Sequence, residues 1–369
     1  MKSKLTLTTL IVVFTTFSSC IKDQTENIED DILSFEFPEY TGLKVSPSKE
    51  TNLILFEVTD TSQIDITHLR PEIKLSEGAT VYPSPNEYQD FSDTVSYTVY
   101  SENKEWNRVY KVLINRTLPL TFPFEEWGTG GVGIMSYPKL MDDTWATANQ
   151  GIALAKFGKV EEFPTDFTTD AYRGKYAARL KTQRGGNYFG FLIPIFSGSL
   201  FRGQFGPIVM SDFAKSVKFG QPHPFEKGRP VSFKGYYKYK VGDPFYDEKD
   251  NIIPGRIDEC SIYAVFYKVT KGVIGTKNDE FLDGNNILTS DKIVAIAKLD
   301  DTSEKGEYTH FDLPFRYKET PDYTQYDYKL AVVFASSKEG DFYRGAVGST
   351  LTVDEVEVVC QAYSSKEPQ

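Results

Sequence analysis

Short apolar runs separated by turn-forming residues constrain the fold of this chain more than any other feature. Val95, Tyr97 and Val99 alternate with Ser96 and Thr98, which is the two-residue period of a strand with one buried face. No stretch shows the sustained apolar period of a long helix, and Gly, Pro, Asn and Asp separate one run from the next. The chain is therefore predicted to be all-β.

The strand-like runs of residues 33–117 form a first group. Ser34–Phe37 opens it and Leu53–Val58 follows. Several short strands within this length predict an immunoglobulin-like sandwich, although the sequence lacks the Cys-Trp-Cys core of antibody domains. From Leu75 to Ile114 the segment resembles small immunoglobulin-like modules near the tether of Bacteroidetes surface lipoproteins, which implies the role of a spacer.

A second group of runs extends from residue 119 to residue 363, and Pro119 and Pro123 mark its beginning. The runs show no regular internal repeat and no long helix separates them, so they predict a larger, antiparallel, two-sheet β jelly roll. The clearest runs are Lys175–Leu180, Tyr188–Ile195, Val231–Tyr239, Ser261–Tyr267, Ile293–Lys298, Lys329–Phe334 and Leu351–Cys360.

The first residues have the pattern of an export signal. Lys2 and Lys4 precede a short apolar run, and two serines directly precede Cys20. Small residues before a cysteine resemble a bacterial lipobox, in which the signal peptide is cut before the cysteine and the thiol receives the lipid. We expect a signal peptide at 1–19 and a flexible, acidic tether at 20–32. The alternative is a secreted protein in which the cysteine is incidental.

The charge of the chain restricts its partners. A net charge of -11 and a pI near 5.0 would repel a phosphate backbone, so nucleic acid is not an expected partner. Beyond the leader the sequence has no apolar run long enough to span a bilayer, so membrane contact is expected through the lipid anchor only. The predicted location is the cell envelope, on the outer membrane and facing either the periplasm or the exterior.

Two cysteines remain if Cys20 carries a lipid. Cys260 and Cys360 could pair in an oxidising compartment. Alternatively, both are small buried hydrophobic residues on strands. Sequence spacing does not decide between these two states, because a disulfide requires spatial adjacency.

Several segments of the second group, taken in order, carry a family resemblance. They are Phe124-Glu125-x-Trp127, Trp145–Asn149, Gly174–Ala178, Gly198–Gly203, Lys234–Tyr239, Ile262–Val265, Phe334–Asp341 and Gly345–Val356. This order resembles the putative carbohydrate metabolism domain of Bacteroidetes lipoproteins. The resemblance implies a jelly roll related in shape to carbohydrate-binding modules, with a role in polysaccharide capture or utilisation. It transfers no established catalytic residue to this sequence.

Catalytic patterns in the sequence are weak. His68, His223 and His310 stand apart from one another and lack metal-binding spacing. The G-x-G-x-x-G match at Gly128–Gly133 is followed by Pro138 rather than by a helical pattern, so it predicts a turn and not a dinucleotide site.

Carboxylates suited to glycoside hydrolysis are present in excess. That reaction needs two carboxylates at a fixed separation, and Glu125, Glu126, Asp258 and Glu259 are candidates among 52 acidic residues. Any such pair could equally be a solvated surface. A glycoside hydrolase, or another glycan-active enzyme, therefore remains an alternative to a binding module, and a structural or adhesive envelope protein is a further alternative.

Aromatic and charged side chains predict a glycan-binding site. Sugar faces stack on aromatic rings, and sugar hydroxyls exchange hydrogen bonds with charged side chains. Strand alternation puts Tyr237 and Tyr239 on one face and Tyr236 and Lys238 on the other. For each aromatic residue, packing in the core is the alternative. The candidates are Trp127, Trp145, Tyr236, Tyr237, Lys238 and Tyr239.

Asp354 is the carboxylate with the most unusual predicted position. Alternation along residues 351–360 puts it on the apolar face of its strand, which is costly unless the charge is paired or bound to a metal. Carbohydrate-binding jelly rolls often hold a structural Ca²⁺ with an acid from the last strand and a glutamate near the first, and Asp354 and Glu125 resemble those positions. The alternative is hydrogen bonding of Asp354 to loop amides.

Overall fold

The computed structural model describes residues 27–40, 44–45, 51–59 and 64–363. The predicted signal peptide, Cys20 and the first part of the tether lie outside these residues. Among the described residues, no helix is long and apolar enough to cross a bilayer.

The described chain consists almost entirely of strands, which confirms the all-β prediction. Its one α-helix among these residues is α1 (Asn149–Ala155), and short 3₁₀ helices lie at Gly133–Met135, Phe213–Ser216, Phe225–Lys227 and Gly340–Phe342. The strands are β1 (Ile32–Glu36), β2 (Lys44–Val45), β3 (Leu53–Thr59), β4 (Glu72–Leu75), β5 (Thr80–Tyr82), β6 (Val95–Tyr100), β7 (Asn107–Phe122), β8 (Trp127–Gly130), β9 (Tyr137–Leu140), β10 (Trp145–Thr147), β11 (Thr165–Thr168), β12 (Ala177–Lys181), β13 (Gln183–Tyr188), β14 (Phe191–Phe196), β15 (Ser199–Phe205), β16 (Val217–Phe219), β17 (Gln221–Pro222), β18 (Arg229–Lys240), β19 (Phe245–Tyr246), β20 (Ser261–Thr270), β21 (Ile293–Lys298), β22 (Lys305–Pro314), β23 (Arg316–Tyr317), β24 (Tyr326–Ala335), β25 (Gly345–Ala346) and β26 (Thr350–Gln361).

The chain divides into two compact units. The first contains the described part of Met1–Ile54 together with His68–Gln89 and Thr94–Val112, and the second contains the described parts of Leu55–Thr67, Asp90–Asp93 and Leu113–Gln369. The domain boundaries at residues 117 and 119 stay predictions.

The first unit contains two antiparallel sheets. One has the order β2-β1-β4, and in the other β6 pairs with β5 and with the first part of β7. Tyr97 and Val99 of β6 are buried while Ser96 is exposed, as the alternation predicts. The ring of Tyr97 lies 5.4 Å from the ring of Phe35 on β1, centroid to centroid. The two sheets therefore meet through their apolar faces, as in a sandwich.

The second unit is a larger two-sheet sandwich. In its first sheet, here called sheet A, β18 pairs with β22 on one side and with β26 on the other. β26 continues the sheet first to β12 and β11 and then, after Asp354, to the last part of β7. Sheet B has the order β10-β15-β24-β20-β21-β23. The main core lies between the inner faces of the two sheets.

A second apolar layer covers the outer face of sheet B. Phe201, Tyr263 and Val333 point outward from β15, β20 and β24, and Leu282 and Ile287 pack onto them from the loop between β20 and β21. This layer supplies the floor of the cavity described below.

The structure also tests the predictions for the two remaining cysteines and for the glycine-rich motif. Cys260 and Cys360 are free and fully buried in the main core, so the small-hydrophobe alternative describes both. Gly128 and Gly130 lie on β8, which forms a hairpin with β9, and Gly133 begins the 3₁₀ helix that connects them, so only the end of the glycine-rich motif lies in the predicted turn.

Candidate functional site

The two faces of β18 have opposite environments. Tyr237 is 2% exposed and Tyr239 is fully buried, and their hydroxyls donate to the carbonyl oxygens of Asp301 at 3.3 Å and Ser336 at 3.2 Å. Sequence alternation assigned the faces correctly. It did not reveal that the face with Tyr237 and Tyr239 packs into the core. Because their rings are buried, these two residues are not sugar platforms in this structure.

Trp145 is also a core residue. It is 6% exposed, and its ring lies edge-on to Phe122 and Phe124, at 5.1 Å from each. The prediction that it stacks on sugar is corrected for the same reason. Trp127 is half-buried, with its indole N–H donating to the carbonyl oxygen of Phe124 at 2.8 Å, so part of its ring still faces solvent.

Tyr236 and Lys238 point away from the core into a group of side chains that we call the tyrosine cluster: Tyr172, Tyr236, Tyr308 and Lys238. The rings of Tyr172 and Tyr236 stack with centroids 3.6 Å apart. The Lys238 ammonium lies 4.5 Å from the Tyr308 centroid and 2.9 Å from a carboxylate oxygen of Asp170. These groups satisfy one another, and Tyr172 covers the Tyr236 ring.

Two carboxylates hold the loop that carries Tyr172. Asp354 accepts hydrogen bonds from the amides of Tyr172 at 2.7 Å and Arg173 at 3.0 Å. Glu125 accepts from the amides of Lys175 at 3.0 Å and Tyr176 at 3.2 Å. Asp354 can reach the loop because the partner of β26 changes from β12 to β7 at this position.

The hydrogen bonds of Glu125 and Asp354 show how well these two carboxylates suit a Ca²⁺ ion. The oxygens of both carboxylates face N–H donors, whose positive ends would repel a cation. Among the described residues, no group of three or more His, Cys, Asp or Glu side chains is arranged to hold a metal ion. The residues therefore fit the hydrogen-bonded alternative, and Ca²⁺ binding here stays an untested prediction.

The carboxylates considered for hydrolysis are largely occupied. Asp258 is 3% exposed and accepts from the hydroxyls of Ser337 and Ser349 and from the amide of Ala346, at 2.6 to 2.8 Å. Glu259 pairs with Lys338 at 2.9 Å. Burial raises the pKa of the Asp258 carboxyl and its hydrogen bonds oppose that rise, and the same bonds make it a structural anchor of the surrounding loops.

An unfilled space lies on the other side of the sandwich, above the outer face of sheet B. It is a cavity of about 360 Å³, which we call the aromatic cavity. Its walls come from α1, the β13–β14 hairpin, the 3₁₀ helix at 213–216, the loop at 284–289 and the turn at 340–343. The aromatic residues of its walls include Phe189, Phe196, Phe205, Phe213, Phe342 and Tyr343.

Asp341 is the carboxylate of this cavity. It makes no hydrogen bond or ion pair to any described residue, and it is an exposed residue that lines the cavity. Loss of bulk water raises the pKa of its carboxyl to about 6, and the charge of Asp283 adds to the rise. Burial and the nearby Asp341 and Asp212 also raise the pKa of Tyr343 to about 12. An apolar cavity with one unpaired, perturbed carboxyl is the usual form of a ligand or catalytic site.

The rim of the cavity is apolar and locally strained. Phe342 is 57% exposed and Phe189 is 51% exposed. Phe189 and Tyr343 also adopt left-handed backbone conformations, with φ of 54° and 60°, which are unfavourable for bulky residues. Exposed apolar groups and backbone strain both concentrate at functional sites.

Sequence reasoning missed this cavity because its residues come from separate segments between residues 148 and 343. One signal was available. The aromatic run Tyr188-Phe189-Gly190-Phe191 places large rings around a glycine turn, where rings are exposed unless something packs on them. Asp341 belongs to a segment of the family resemblance, but its neighbours in sequence do not show that it faces a cavity.

The sequence matches two family models. Residues 123–359 match the family described as "Putative carbohydrate metabolism domain". Residues 32–114 match the family described as "SGBP, N-terminal", in which SGBP denotes a surface glycan-binding protein. No curated protein matches the sequence.

Two solved structures are similar to this chain. A putative glycoside hydrolase from Bacteroides thetaiotaomicron VPI-5482 is 33% identical, with a TM-score of 0.54, and the match covers 94% of this chain and 100% of that one. A putative glycoside hydrolase from Bacteroides vulgatus ATCC 8482 is 32% identical, with a TM-score of 0.55, and the match covers 66% of this chain and 98% of that one.

Proposed function

Since this chain belongs to the putative carbohydrate metabolism domain family, we propose that it is a lipid-anchored envelope protein that binds a glycan in the aromatic cavity. The family matches make it a carbohydrate-related protein of the cell surface. Lipidation at Cys20, attachment to the outer membrane and participation in polysaccharide capture are the finer parts of the proposal.

The observation that carries the proposal is the combination of aromatic walls with an unpaired carboxyl. Rings such as those of Phe342 and Phe189 can stack against the C–H faces of sugar rings. Asp341 can accept a hydrogen bond from a sugar hydroxyl when ionised, and donate one when protonated. One oriented polar group within apolar walls would fix both the position and the direction of a sugar.

The tyrosine cluster is the weaker candidate for the same function. Tyr236 is covered by Tyr172, and Lys238 is already paired with Asp170. A glycan would have to displace these contacts before it could use either residue. Tyr236, Lys238 and Trp127 therefore stay predictions, ranked below the cavity.

A glycan array probed with the full chain, followed by calorimetric titration of the strongest ligand, tests the proposal. Asp341→Asn keeps the shape of the side chain and removes its charge, and we expect it to weaken binding about tenfold, as for a hydrogen bond to a charged group. Tyr172→Ala, in the tyrosine cluster, is the matched control and should keep the wild-type affinity. Full affinity in Asp341→Asn together with loss in Tyr172→Ala would place the glycan in the tyrosine cluster instead.

A glycoside hydrolase is the second candidate, and one observation favours it. A carboxyl with a pKa of about 6, such as that of Asp341, remains partly protonated near neutral pH, as a general acid requires. Incubating the bound glycan with wild-type protein and with Asp341→Asn separates the two functions. Release of reducing ends by the wild type alone would show hydrolysis, whereas binding without release by the wild type supports the binding module.

A further inference from the structure

The floor of the aromatic cavity contains a tyrosine whose hydroxyl has no partner in the described chain. Tyr263 lies on β20 between Val333 of β24 and Lys298 of β21, and all three residues line the cavity. Tyr263 is only 5% exposed, yet its hydroxyl makes no hydrogen bond to any described residue. Since the fully enclosed, unpartnered polar atoms of the described chain do not include this hydroxyl, it is open to the cavity.

A second tyrosine of β20 shows the usual state of such a group. Tyr267 is fully buried in the same apolar layer on the outer face of sheet B. Its hydroxyl donates to the carbonyl oxygen of Phe219 at 2.6 Å. Buried tyrosine hydroxyls normally have a partner of this kind. For Tyr263 the partner has to come from whatever occupies the cavity, whether water or a bound ligand.

Tyr263 meets that occupant as a neutral hydroxyl. Burial raises the pKa of Tyr263 well above its ordinary value, and the charge of Asp341 raises it further. It therefore acts as a phenol and not as a phenolate nucleophile. A phenol both donates and accepts a hydrogen bond, as a sugar hydroxyl does. The effect of Asp341 on Tyr263 also indicates that the two side chains serve the same part of the cavity.

The charges around this part of the cavity disfavour an acidic ligand. The carboxylate of Asp283 acts on Asp341, so an entering carboxylate or sulfate would meet two like charges. The lysines that line the cavity are Lys298 and Lys338. Lys338 pairs with Glu259 at 2.9 Å, and Lys298 acts on the same carboxylate. Both lysines are thus already engaged by an acidic residue of the protein.

We propose that the aromatic cavity receives an uncharged sugar residue, with one sugar hydroxyl bonded to Tyr263 at the floor and another donating to Asp341. This inference rests on the proposed function and names the substrate class of that site. Tyr263 is then a specificity residue, because a sugar that lacks the matching hydroxyl would leave a buried hydroxyl of the protein unpaired. The aromatic walls bind many sugars alike, whereas this contact selects among them.

A glycan array that carries neutral, uronate-containing and sulfated glycans tests the substrate class with the full chain. We expect the bound set to include glycans without any acidic group. Binding that always requires a uronate or a sulfate would overturn this inference while leaving the proposed glycan binding intact. Binding to no glycan would overturn both.

Tyr263→Phe removes the hydroxyl alone and tests its role. In calorimetric titration with the strongest neutral glycan of the array, it should raise Kd about fivefold, as for one neutral hydrogen bond. Its Tm should stay within about 1 °C of the wild type, because no hydrogen bond within the described protein is lost. Tyr267→Phe is the matched control on the same strand. It loses the bond to Phe219, so its Tm should fall by about 3 °C while its affinity stays that of the wild type.

Asp341→Asn, titrated with the same glycan, separates failure of this inference from failure of the proposed function. Weakened binding in Asp341→Asn with wild-type affinity in Tyr263→Phe would mean that the glycan occupies the cavity without using the floor hydroxyl, and only this inference would be overturned. Wild-type affinity in both variants would place the glycan outside the cavity and overturn both. Weakened binding in both, with an unchanged Tm for Tyr263→Phe, is the result that supports the inference.

Discussion

The tyrosine cluster and the aromatic cavity lie on the outer faces of the two sheets of one sandwich, and they use aromatic residues in opposite ways. In the tyrosine cluster, Tyr172 stacks on Tyr236 and Lys238 pairs with Asp170. In the aromatic cavity, the rings enclose about 360 Å³ and Asp341 is unpaired among the described residues. Aromatic and charged residues are present in both regions, so their presence does not distinguish a binding site. The difference lies in whether neighbouring groups already satisfy them.

The largest loss of folding stability is expected on the core face of β18, on the opposite side of this strand from the tyrosine cluster. Tyr239→Ala should destabilise the protein by about 3–5 kcal/mol, because it opens a large cavity between the sheets. Tyr172→Ala, on the exposed side, should cost only about 1 kcal/mol from lost ring stacking. Urea unfolding of both variants measures the contrast. Wild-type stability of Tyr239→Ala combined with lost glycan affinity would restore this residue as a sugar platform.

The next largest loss of folding stability is expected from the loop that carries Tyr172 of the tyrosine cluster. Asp354→Ala leaves the amides of Tyr172 and Arg173 without their acceptor, which should cost about 1–3 kcal/mol. The loosened loop should also be cut faster by trypsin at Arg173 and Lys175, measured by limited proteolysis and mass spectrometry.

Glu355→Gln is the control for that variant. Glu355 is half-buried and pairs with the exposed Arg173 at 3.4 Å, and a pair with an exposed partner contributes less than about 1 kcal/mol. Equal destabilisation by the two variants would mean that the amide contacts of Asp354 do not hold the loop.

A smaller effect is expected from the rim of the aromatic cavity. Phe342→Ala should weaken glycan binding by about 1 kcal/mol, or roughly fivefold in Kd, through the loss of one stacking surface. Its stability should barely change, because Phe342 is already 57% exposed. Calorimetric titration and thermal melting of the same preparation measure both quantities. A lower Tm with unchanged affinity would assign Phe342 to packing rather than to binding.

The titration of Asp341 provides a pH test of the cavity. Its pKa rises from the ordinary value of 3.8 to about 6 in the folded protein, so the folded state holds a proton that the unfolded chain releases. The contribution of this group to stability is therefore fully present below pH 4 and is lost as the pH rises through 6. Carboxyl ¹³C NMR should show a midpoint near 6, and Asp341→Asn should remove this part of the pH dependence. A midpoint near 4 would mean that bulk water reaches the carboxyl freely.

The smallest effect is expected from Ca²⁺ at Glu125 and Asp354. Since both carboxylates face amide N–H groups, adding Ca²⁺ or EGTA should leave the Tm within about 1 °C, because an ion that does not bind the folded state does not stabilise it. A rise with Ca²⁺ that disappears in Glu125→Gln would instead confirm the metal site predicted from the sequence.

The sequence by itself determined the all-β class, because a two-residue apolar period is compatible only with strands that bury one face. It also determined which residues of β18 share a face, since Tyr237 and Tyr239 are separated by one strand period. The family could likewise be identified from segments such as Phe124-Glu125-x-Trp127, because their order along the chain is a property of the sequence alone.

Only the tertiary structure decided which face of β18 is the core, because the period is the same whether a face meets another sheet or solvent. It also decided that the carboxylates of Asp354 and Glu125 meet the amides of the loop at 172–176, far away in sequence. Asp341 and the rings of the aromatic cavity are brought together by the packing of separate segments on the outer face of sheet B. Long-range packing sets the burial, pairing and pKa of each group, and these properties distinguish a saturated cluster from an open site.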